Sequence, residues 1–253
     1  MSEDIPRTRP GAANLQSAIS GPVALRRRIY LLRHADVSYV DPAGQLIPPH
    51  QAALTPVGEE QARALAHAFR SVRFERAITS GLARTLHTAR LILGGRSDAP
   101  EIESWSDFAE MRGGKLRDFA PDRLEVEFLG AFRGAAPESA RFLGGESIGE
   151  LFDRVLPALQ RLIDDPGWDC ALLVLHGGVN RAILSYAVTG ERTFLGHLEQ
   201  SPACVNVLDI GEEWVVRAVN LCLDDLLHVS GRETTMEKLL AQIRDHLPRD
   251  ERP

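Results

Sequence analysis

Short apolar runs alternate with amphipathic segments along most of the chain. Residues 29–32 and 171–175 form two such runs, each made of consecutive rather than alternating hydrophobic positions. Such runs are typical of parallel strands that helices cover on both faces. The alternation of strand and helix patterns predicts βα units. We therefore expect an α/β protein, a three-layer α/β/α sandwich with a mixed, mainly parallel central sheet.

Helix signals fall between the apolar runs. Thr55 and Pro56 suit the N-cap and the first position of a helix that should end near residue 70. Ser80 is predicted to cap a second helix. The apolar face of that helix comprises Leu82, Leu86, Ala89 and Leu93. Ser147 and Glu150 form a capping box at the start of a third helix. Further helices are expected after the Gly177-Gly178 pair and over residues 233–246.

The remaining strand candidates are short. Residues 76–79 predict one strand. Residues 204–210 and 214–219 predict two more, which should form a hairpin around Gly211.

A single domain is expected to span residues 28–246. Residues 94–145 contain many glycines, prolines and charged side chains, so we predict an irregular insertion there instead of a separate core. Residues 1–27 have no clear apolar periodicity and are predicted to be a mobile N-terminal extension. Residues 247–253 are predicted to be a tail.

Composition narrows the class of protein. The chain has 253 residues, 44% of them hydrophobic and 25% charged, which is the ordinary mixture of a globular protein. The net charge of −6 argues against a nucleic-acid partner, which needs a basic face. It leaves room for a small anion in a local basic pocket.

The three cysteines lie among apolar neighbours, and an odd number does not make a disulfide framework. A reducing cytoplasm therefore fits better than secretion. No apolar run approaches the roughly 18–20 residues that a membrane span needs, so no membrane partner is expected.

Two of the predicted strands end in histidine. Arg33 and His34 follow the first apolar run, and His176 and Gly177 follow residues 171–175. Ligands of open parallel sheets bind beyond the carboxyl ends of the strands. Adjacent strands would bring the two imidazoles together there, although each histidine alone has an ordinary structural explanation.

A third element adds positive charge. Arg84 falls in the first turn of a predicted helix, where free amides and the helix dipole already favour an anion. Gly177 removes a side chain at a place where backbone amides could approach an anion. Two guanidiniums, two imidazoles and free amides suit a tetrahedral dianion such as phosphate. An exposed arginine and an ordinary strand-to-helix turn are the competing explanations.

The sequence resembles the histidine phosphatase superfamily, which includes the cofactor-dependent phosphoglycerate mutases. Arg33-His34-Ala35 is similar to the family's Arg-His-Gly signature. Five more segments match in the family's order: Leu54-Thr55 with Gly58, Gln61-Ala62 and Leu65; Thr79-Ser80 with Arg84 and Thr88-Ala89; Phe108-Ala109-Glu110 with Gly113-Gly114; Gly144-Gly145-Glu146-Ser147; and His176-Gly177-Gly178. Six ordered blocks within about residues 28–190 are a specific signal, and the resemblance implies a phosphoglycerate mutase-like fold.

The resemblance also implies a phosphohistidine mechanism. His34 would attack phosphorus as a neutral imidazole. Glu110 would protonate the leaving oxygen and then activate water. The implied catalytic residues are thus His34, Glu110 and His176, and the implied phosphate-binding residues are Arg33, Arg84 and Gly177. Neither a metal nor a cofactor is implied, because the cationic side chains would neutralise the phosphoryl charge.

The expected activity is that of a histidine acid-type phosphatase, a metal-independent phosphomonoester hydrolase. Its partner would be a small phosphorylated metabolite in the cytoplasm, with no nucleic acid and no membrane involved, and a homodimer stays open.

The chain departs from the family pattern at three positions near the signature. Ala35 replaces glycine, and Val37 and Val40 stand where many members have threonine and asparagine. Two polar phosphate contacts are therefore expected to be lost, for which Ser38 or Tyr39 could substitute. The segment after Glu110 also lacks the mutase-type Arg-His-Tyr-Gly stretch. A phosphatase is favoured over a mutase on this ground, and a weakly active relative that binds a phospho-ligand stays an alternative.

Two other enzyme classes have weaker support. A metal hydrolase could use His34, Asp36 and His87, but the chain has no His-Glu-x-x-His motif and no cysteine pairs. A dinucleotide-binding enzyme lacks its Gly-x-Gly-x-x-Gly turn. Substrate choice is expected to lie in the insertion, where a second anionic group could meet Arg112, Lys115, Arg117, Arg133 and Arg141.

Overall fold

The computed structural model describes residues 26–41, 43–115, 118–229 and 231–246. The predicted tail and the predicted extension, apart from its last two residues, lie outside this part of the chain. The strands are β1 (Arg27–Arg33), β2 (Arg76–Thr79), β3 (Ile102–Ser104), β4 (Ala135–Ala136), β5 (Cys170–Leu175), β6 (Phe194–Leu195), β7 (Val205–Ile210) and β8 (Trp214–Leu221). The helices are α1 (Pro56–Ala68), α2 (Ala83–Leu93), α3 (Pro121–Leu129), α4 (Ile148–Asp164), α5 (Gly177–Thr189) and α6 (Thr235–His246).

Six strands form the central sheet in the order β3-β2-β5-β1-β7-β8. The pairs β3–β2, β2–β5 and β5–β1 are parallel, whereas β7 runs antiparallel to both β1 and β8. This arrangement confirms the predicted mixed, mainly parallel sheet and the predicted β7–β8 hairpin. Because β1 and β5 are parallel neighbours, with Arg33 level with Leu175, their carboxyl ends meet at one edge.

Helices cover both faces of the sheet and produce two cores. On one face Ile29, Leu31 and Leu173 pack with residues of α4 and α5. On the other face Leu32 and Val174 pack with residues of α1 and α2. Consecutive residues of one strand thus enter opposite cores, which explains why the apolar runs are continuous. The predicted three-layer sandwich is confirmed.

Most helix starts follow the predicted chemistry. The Thr55 side chain accepts from Gly58 N at the start of α1, and the Ser147–Glu150 capping box begins α4. The prediction for Ser80 is wrong, because Leu82 is the N-cap residue of α2 and makes no side-chain cap bond. The predicted apolar face of α2 is also partly wrong. Arg84, Thr85 and Thr88 join its buried side, while Leu82 and Leu86 are only half-buried.

The prediction of irregular structure between residues 94 and 145 is only partly right. Strand β3 lies there and extends the parallel sheet beside β2. Helix α3 lies there too, and it packs against α6 in a small third core of Leu124, Phe128, Leu129, Leu143, Leu240 and Ile243. The apolar side chains of this region are therefore shared with the C-terminal helix, which lies more than 90 positions further along the chain.

In the part of the chain that the structure describes, no helix is both long and apolar enough to span a bilayer.

Candidate active site

His34 follows β1 directly and is 1% exposed. Its backbone nitrogen donates to Leu175 O at 2.9 Å, which continues the parallel pairing with β5 beyond the strand. Its Nδ1 lies 2.8 Å from Ala35 O. A carbonyl oxygen can only accept, so Nδ1 carries the proton of the neutral ring. The lone pair is then on Nε2.

His176 lies at the equivalent place after β5 and is fully buried. The two ring centroids are 5.3 Å apart, so the sheet brings the two predicted histidines together. Arg84 Nη2 donates to Nδ1 of His176 at 3.3 Å. The proton of the neutral ring therefore lies on Nε2, which donates to Ser80 Oγ at 2.7 Å.

A chain of hydroxyl groups continues from His176 into α2. Ser80 Oγ lies 3.0 Å from Thr85 Oγ1, which donates to Leu82 O at 2.8 Å. Because a carbonyl oxygen can only accept, the hydroxyl proton of Thr85 points to Leu82 O. Ser80 therefore donates its own hydroxyl proton to Thr85 Oγ1, and Ser80 Oγ accepts from His176 Nε2. Sequence analysis assigned Ser80 only a capping role. The signal that it missed is the position of Ser80 at the carboxyl end of β2, at the same sheet edge as both histidines.

Two arginines flank the imidazoles. Arg84 is 2% exposed, and its Nη1 donates to Pro49 O at 2.7 Å. Arg33 donates from Nη1 to Gln200 O at 2.6 Å. The Nε atoms of Arg33 and Arg84 are buried and have no acceptor among the described residues. A buried donor without a partner is costly, so these two N–H groups favour an anionic acceptor between them.

The electrostatics keep both imidazoles neutral. Burial, followed by the charges of Arg33 and Arg84, lowers the pKa of His34 well below its usual value of 6.5. Burial, followed by the charge of Arg84, lowers the pKa of His176 in the same way. A neutral His34 with a free Nε2 lone pair is a competent nucleophile at neutral pH.

Glu110 lies at the amino end of α5. Its Oε1 accepts from Met111 N at 2.8 Å and from Gly178 N at 3.1 Å. Its Oε2 is 3.3 Å from Gly178 N. A Cβ on Gly178 would lie 2.7 Å from Oε1, so glycine is needed there for the carboxylate to occupy this place. Glu110 thus contacts Gly178, the second residue after His176.

A buried ion pair supports the segment that carries Glu110. Glu146 accepts from Arg154 Nε at 2.6 Å and from Arg112 N at 3.0 Å. Arg154 also donates to the carbonyls of Asp107 and Ala109, at 2.6 and 2.7 Å. Burial would raise the pKa of Glu146, but its hydrogen bonds with Arg154 and Arg112 N outweigh burial and lower it. This pair anchors both flanks of Glu110.

Sequence analysis missed a further buried charge, Arg181. It is 2% exposed and lies one turn after Gly177 in α5. Its guanidinium donates to Gly177 O, Gly196 O and Glu199 Oε2, at 3.2, 2.9 and 3.2 Å. The spacing of four residues from Gly177 was the available signal, since it places the side chain below the first turn of the helix.

Comparison with known proteins gives the family. The model of the histidine phosphatase superfamily (branch 1) matches residues 29–221, which is most of the chain. This chain is a member of the histidine phosphatase superfamily. It is 32% identical over 152 residues to a protein named probable phosphoglycerate mutase GpmB from Salmonella paratyphi A, covering 59% of this chain and 69% of that protein. The predicted family is thereby confirmed.

Solved structures of low sequence identity share the histidine phosphatase fold. The alpha-ribazole phosphatase of Shigella flexneri aligns with a TM-score of 0.60 at 24% identity, over 76% of this chain and 96% of that one. A mycobacterial glucosyl-3-phosphoglycerate phosphatase aligns with a TM-score of 0.60 at 21% identity, over 77% of this chain and 99% of that one. At these identities the likeness supports the fold alone.

The departures from the family signature have structural explanations. Ala35 is not among the described residues with positive φ, so the extra methyl causes no backbone strain there. It is fully buried, and its nitrogen donates to Thr88 Oγ1 at 3.1 Å. Val37 and Val40 form isolated bridges with Leu54 and Leu46, respectively.

Ser38 and Tyr39 were the two residues expected to replace the lost polar contacts to phosphate. The Ser38 hydroxyl already makes hydrogen bonds with the backbone of Val40. It donates to Val40 O at 2.5 Å and accepts from Val40 N at 3.1 Å. Tyr39 instead lines the cleft that opens over His34.

This cleft has a volume of about 970 Å³ and opens onto Arg33 and His34. Its lining includes Asp36, Val37 and Tyr39 after β1, Gln61 on α1, and Glu199, Ser201 and Pro202 before β7. The C-terminal segment, here taken from the end of β8 onwards, contributes Asn220, Cys222, Asp224, Asp225, His228, Gly231, Arg232, Glu233, Thr234, Thr235, Lys238, Leu239, Ala241, Gln242 and Asp245. The space is far larger than one phosphoryl group needs, so it has room for a bulky leaving group.

Among the described residues of the insertion, the predicted Arg112, Lys115, Arg133 and Arg141 do not line this cleft. Arg112, Arg133 and Arg141 pair with Glu146, Glu125 and Glu150. Arg117 lies outside the described residues. The prediction that a second anionic group meets these arginines therefore has no support in the lining of the cleft, to which the C-terminal segment contributes instead.

Within the described ranges, no three histidine, cysteine, aspartate or glutamate side chains form a group suited to a metal ion. The three cysteines of the chain are free thiols, and burial raises the pKa of Cys204 to about 12.

Proposed function

We propose that this histidine phosphatase hydrolyses phosphomonoesters of small metabolites through a phosphohistidine at His34, without a metal ion. One observation carries the proposal. A buried, neutral His34 has its Nε2 lone pair free, and it lies beside two arginines whose buried Nε donors have no acceptor among the described residues.

The first step is in-line attack of His34 Nε2 on phosphorus. The N–P bond forms as the P–O bond to the leaving group breaks, and Glu110 gives its proton to the leaving oxygen. Oε2 of Glu110 suits this task, since Oε1 already accepts from two backbone amides. In the second step Glu110 takes a proton from water, the water oxygen bonds to phosphorus, and His34 and inorganic phosphate are released.

The surrounding cations stabilise the transferring group. Arg33 and Arg84 offer donors to the equatorial oxygens, where charge concentrates in the transition state. His176 Nδ1 accepts from Arg84 Nη2 at 3.3 Å and so helps to hold that guanidinium beside His34. Gly177 adds a backbone amide at the start of α5.

Phosphatase activity is favoured over mutase activity by the cleft. A mutase must retain its product and return the phosphoryl group to it, which needs fixed contacts to a carboxylate. Three arginines that were predicted to meet a second anionic group are instead paired with Glu146, Glu125 and Glu150. The name of the Salmonella relative supports the mutase as the second candidate. Incubation with 3-phosphoglycerate separates the two, since a phosphatase releases inorganic phosphate and a mutase forms 2-phosphoglycerate.

The deciding experiment is hydrolysis of an aryl phosphate in excess chelator, comparing wild type with His34→Ala. The proposal predicts activity that survives chelation and is lost in the variant. Activity that chelation abolishes would contradict metal independence. Activity that persists in His34→Ala would contradict the nucleophile.

A further inference from the structure

Behind Arg33 lies a group of three buried amide side chains, Asn180, Gln200 and Asn206, here called the amide triad. Each is fully buried. Gln200 and Asn206 exchange two hydrogen bonds, of 2.9 and 3.0 Å, and Asn180 Nδ2 donates to Gln200 Oε1 at 3.0 Å. Asn206 Nδ2 also donates to a backbone carbonyl of β1, which fixes the orientation of its amide, and the two mutual bonds then fix the amide of Gln200.

The amide triad joins the elements that carry the site. Asn206 on β7 donates to Leu31 O of β1 at 2.8 Å. Asn180 belongs to the first turn of α5, four positions after His176. The third member, Gln200, lies in the loop before β7 and connects the other two.

The loop of Gln200 also determines where the Arg33 guanidinium lies. Arg33 Nη1 donates to the backbone oxygen of Gln200 at 2.6 Å. That oxygen is held in place because the Gln200 side chain is tied to Asn180 and Asn206, and because its Nε2 donates to Glu199 O at 2.8 Å. With Nη1 fixed, Arg33 Nε lies close to the amino end of α5, 3.8 Å from where a Cβ on Gly177 would be.

We propose that Gln200 is a positioning residue for phosphate binding: its side chain fixes the carbonyl that aims the Arg33 Nε–H at the phosphoryl group. The inference rests on the proposed function, since it assumes that this pocket takes phosphate. Gln200 touches neither substrate nor the reacting atoms in this account and acts only through Arg33.

The test is a double-mutant cycle read by competitive inhibition with inorganic phosphate. Gln200→Met keeps the length of the side chain and removes its hydrogen bonds. We expect it to raise the inhibition constant of phosphate about tenfold, the loss typical of one charge-assisted contact. In an Arg33→Ala background the same substitution should change the constant less than about twofold, because its effect passes through Arg33. The matched control is Gln160→Met, on the exposed side of α4, which should match wild type.

A merely structural role would give a different result. Loss of stability alone lowers the active fraction, and so kcat, but leaves the inhibition constant of the folded enzyme unchanged. An unchanged constant in Gln200→Met, or an equal effect with and without Arg33, overturns the inference. If Gln200→Met does not fold, Asn180→Leu is used in its place, because it removes one hydrogen bond to Gln200. An unchanged inhibition constant in that variant, or an equal effect with and without Arg33, overturns the inference in the same way. Failure of the proposed function is distinct, since wild type itself would then show neither turnover nor inhibition by phosphate.

Discussion

The phosphoryl pocket and the cleft above it are built in different ways. The pocket is made by residues within a few positions of the ends of β1, β2 and β5, and His34 and His176 are 1% and 0% exposed. The far wall of the cleft comes from the C-terminal segment, where Asp224, Glu233 and Lys238 are exposed. The sheet thus positions the buried residues of the proposed catalysis, while exposed residues after the sheet line the cleft beside them. The proposed catalytic role and substrate preference should therefore respond to different substitutions.

The largest effect is expected at the bottom of the pocket. His34→Ala should lower kcat for an aryl phosphate by about 10⁴-fold or more, as removal of a nucleophile does elsewhere. His87→Ala is the matched control, since His87 lies on α2 but does not line the cleft. Comparable losses in the two variants would show that the effect is not specific to the site.

The next effect concerns the acid. Glu110→Gln should lower kcat by about 10²–10⁴-fold, the usual contribution of positioned acid–base catalysis. Gly178→Ala should lower it by about tenfold, because the added methyl displaces the Glu110 carboxylate, which is flexible, rather than backbone.

Gly130→Ala is the control for the added methyl, since a Cβ there meets nothing within 4 Å. Steady-state kinetics and thermal melting of both glycine variants would separate displacement of Glu110 from misfolding. A Gly178→Ala enzyme with wild-type kcat would place Glu110 outside the reaction.

A smaller effect links the pocket to stability. In the unfolded chain, imidazoles bind protons below their usual pKa of 6.5, whereas burial keeps His34 and His176 neutral in the folded protein. The unfolded state then binds more protons, so the free energy of unfolding falls as the pH drops from 6.5 towards 5. The expected loss is about 1 kcal/mol per imidazole at pH 5.5.

Denaturant titrations of wild type and of a His34→Gln, His176→Gln double variant would measure this decrease in stability. Between pH 6.5 and 5.5 the free energy of unfolding of the variant should fall by about 2 kcal/mol less than that of wild type. The window lies above the range in which carboxylates titrate, so they contribute little to the difference. Equal pH dependence in the two proteins would contradict neutral, buried imidazoles.

The smallest effect is expected on the cleft wall. Asp224→Asn should change kcat/KM for a small aryl phosphate by less than about threefold, because an exposed charge is screened by solvent. The same substitution should change kcat/KM more for larger substrates that reach the wall. A strong effect on the small substrate would show that the wall takes part in the chemistry, and the distinction between the two regions would fail.

The pocket could be predicted from the sequence better than the cleft, for a physical reason. Parallel strands bring their carboxyl ends to one edge, so the adjacent positions of His34 and His176 follow from local patterns alone. Ser80 was misassigned, because a serine just before a helix also suits a cap, and the N-cap residue is in fact Leu82. Arg181 was missed, since buried arginines are uncommon and its partners lie up to 18 positions away.

The cleft wall depends on contacts between distant segments. Helix α6 packs against α3 across more than 100 positions, and sequence patterns do not record such pairings. The same limit explains why the insertion arginines were expected near the substrate. Arg133 and Arg141 lie 8 and 9 positions from their partners Glu125 and Glu150, but nothing in the order of residues shows these pairings.

Trapping the intermediate tests the central claim most directly. Glu110→Gln enzyme would be mixed with an aryl phosphate and quenched in alkali, which preserves phosphohistidine, and its peptides would be analysed by mass spectrometry. The account predicts one phosphoryl group on His34 and none on His87 or His176. Substrate turnover by wild type with no phosphorylated His34 in the trapped variant, or with the label on another residue, would contradict it.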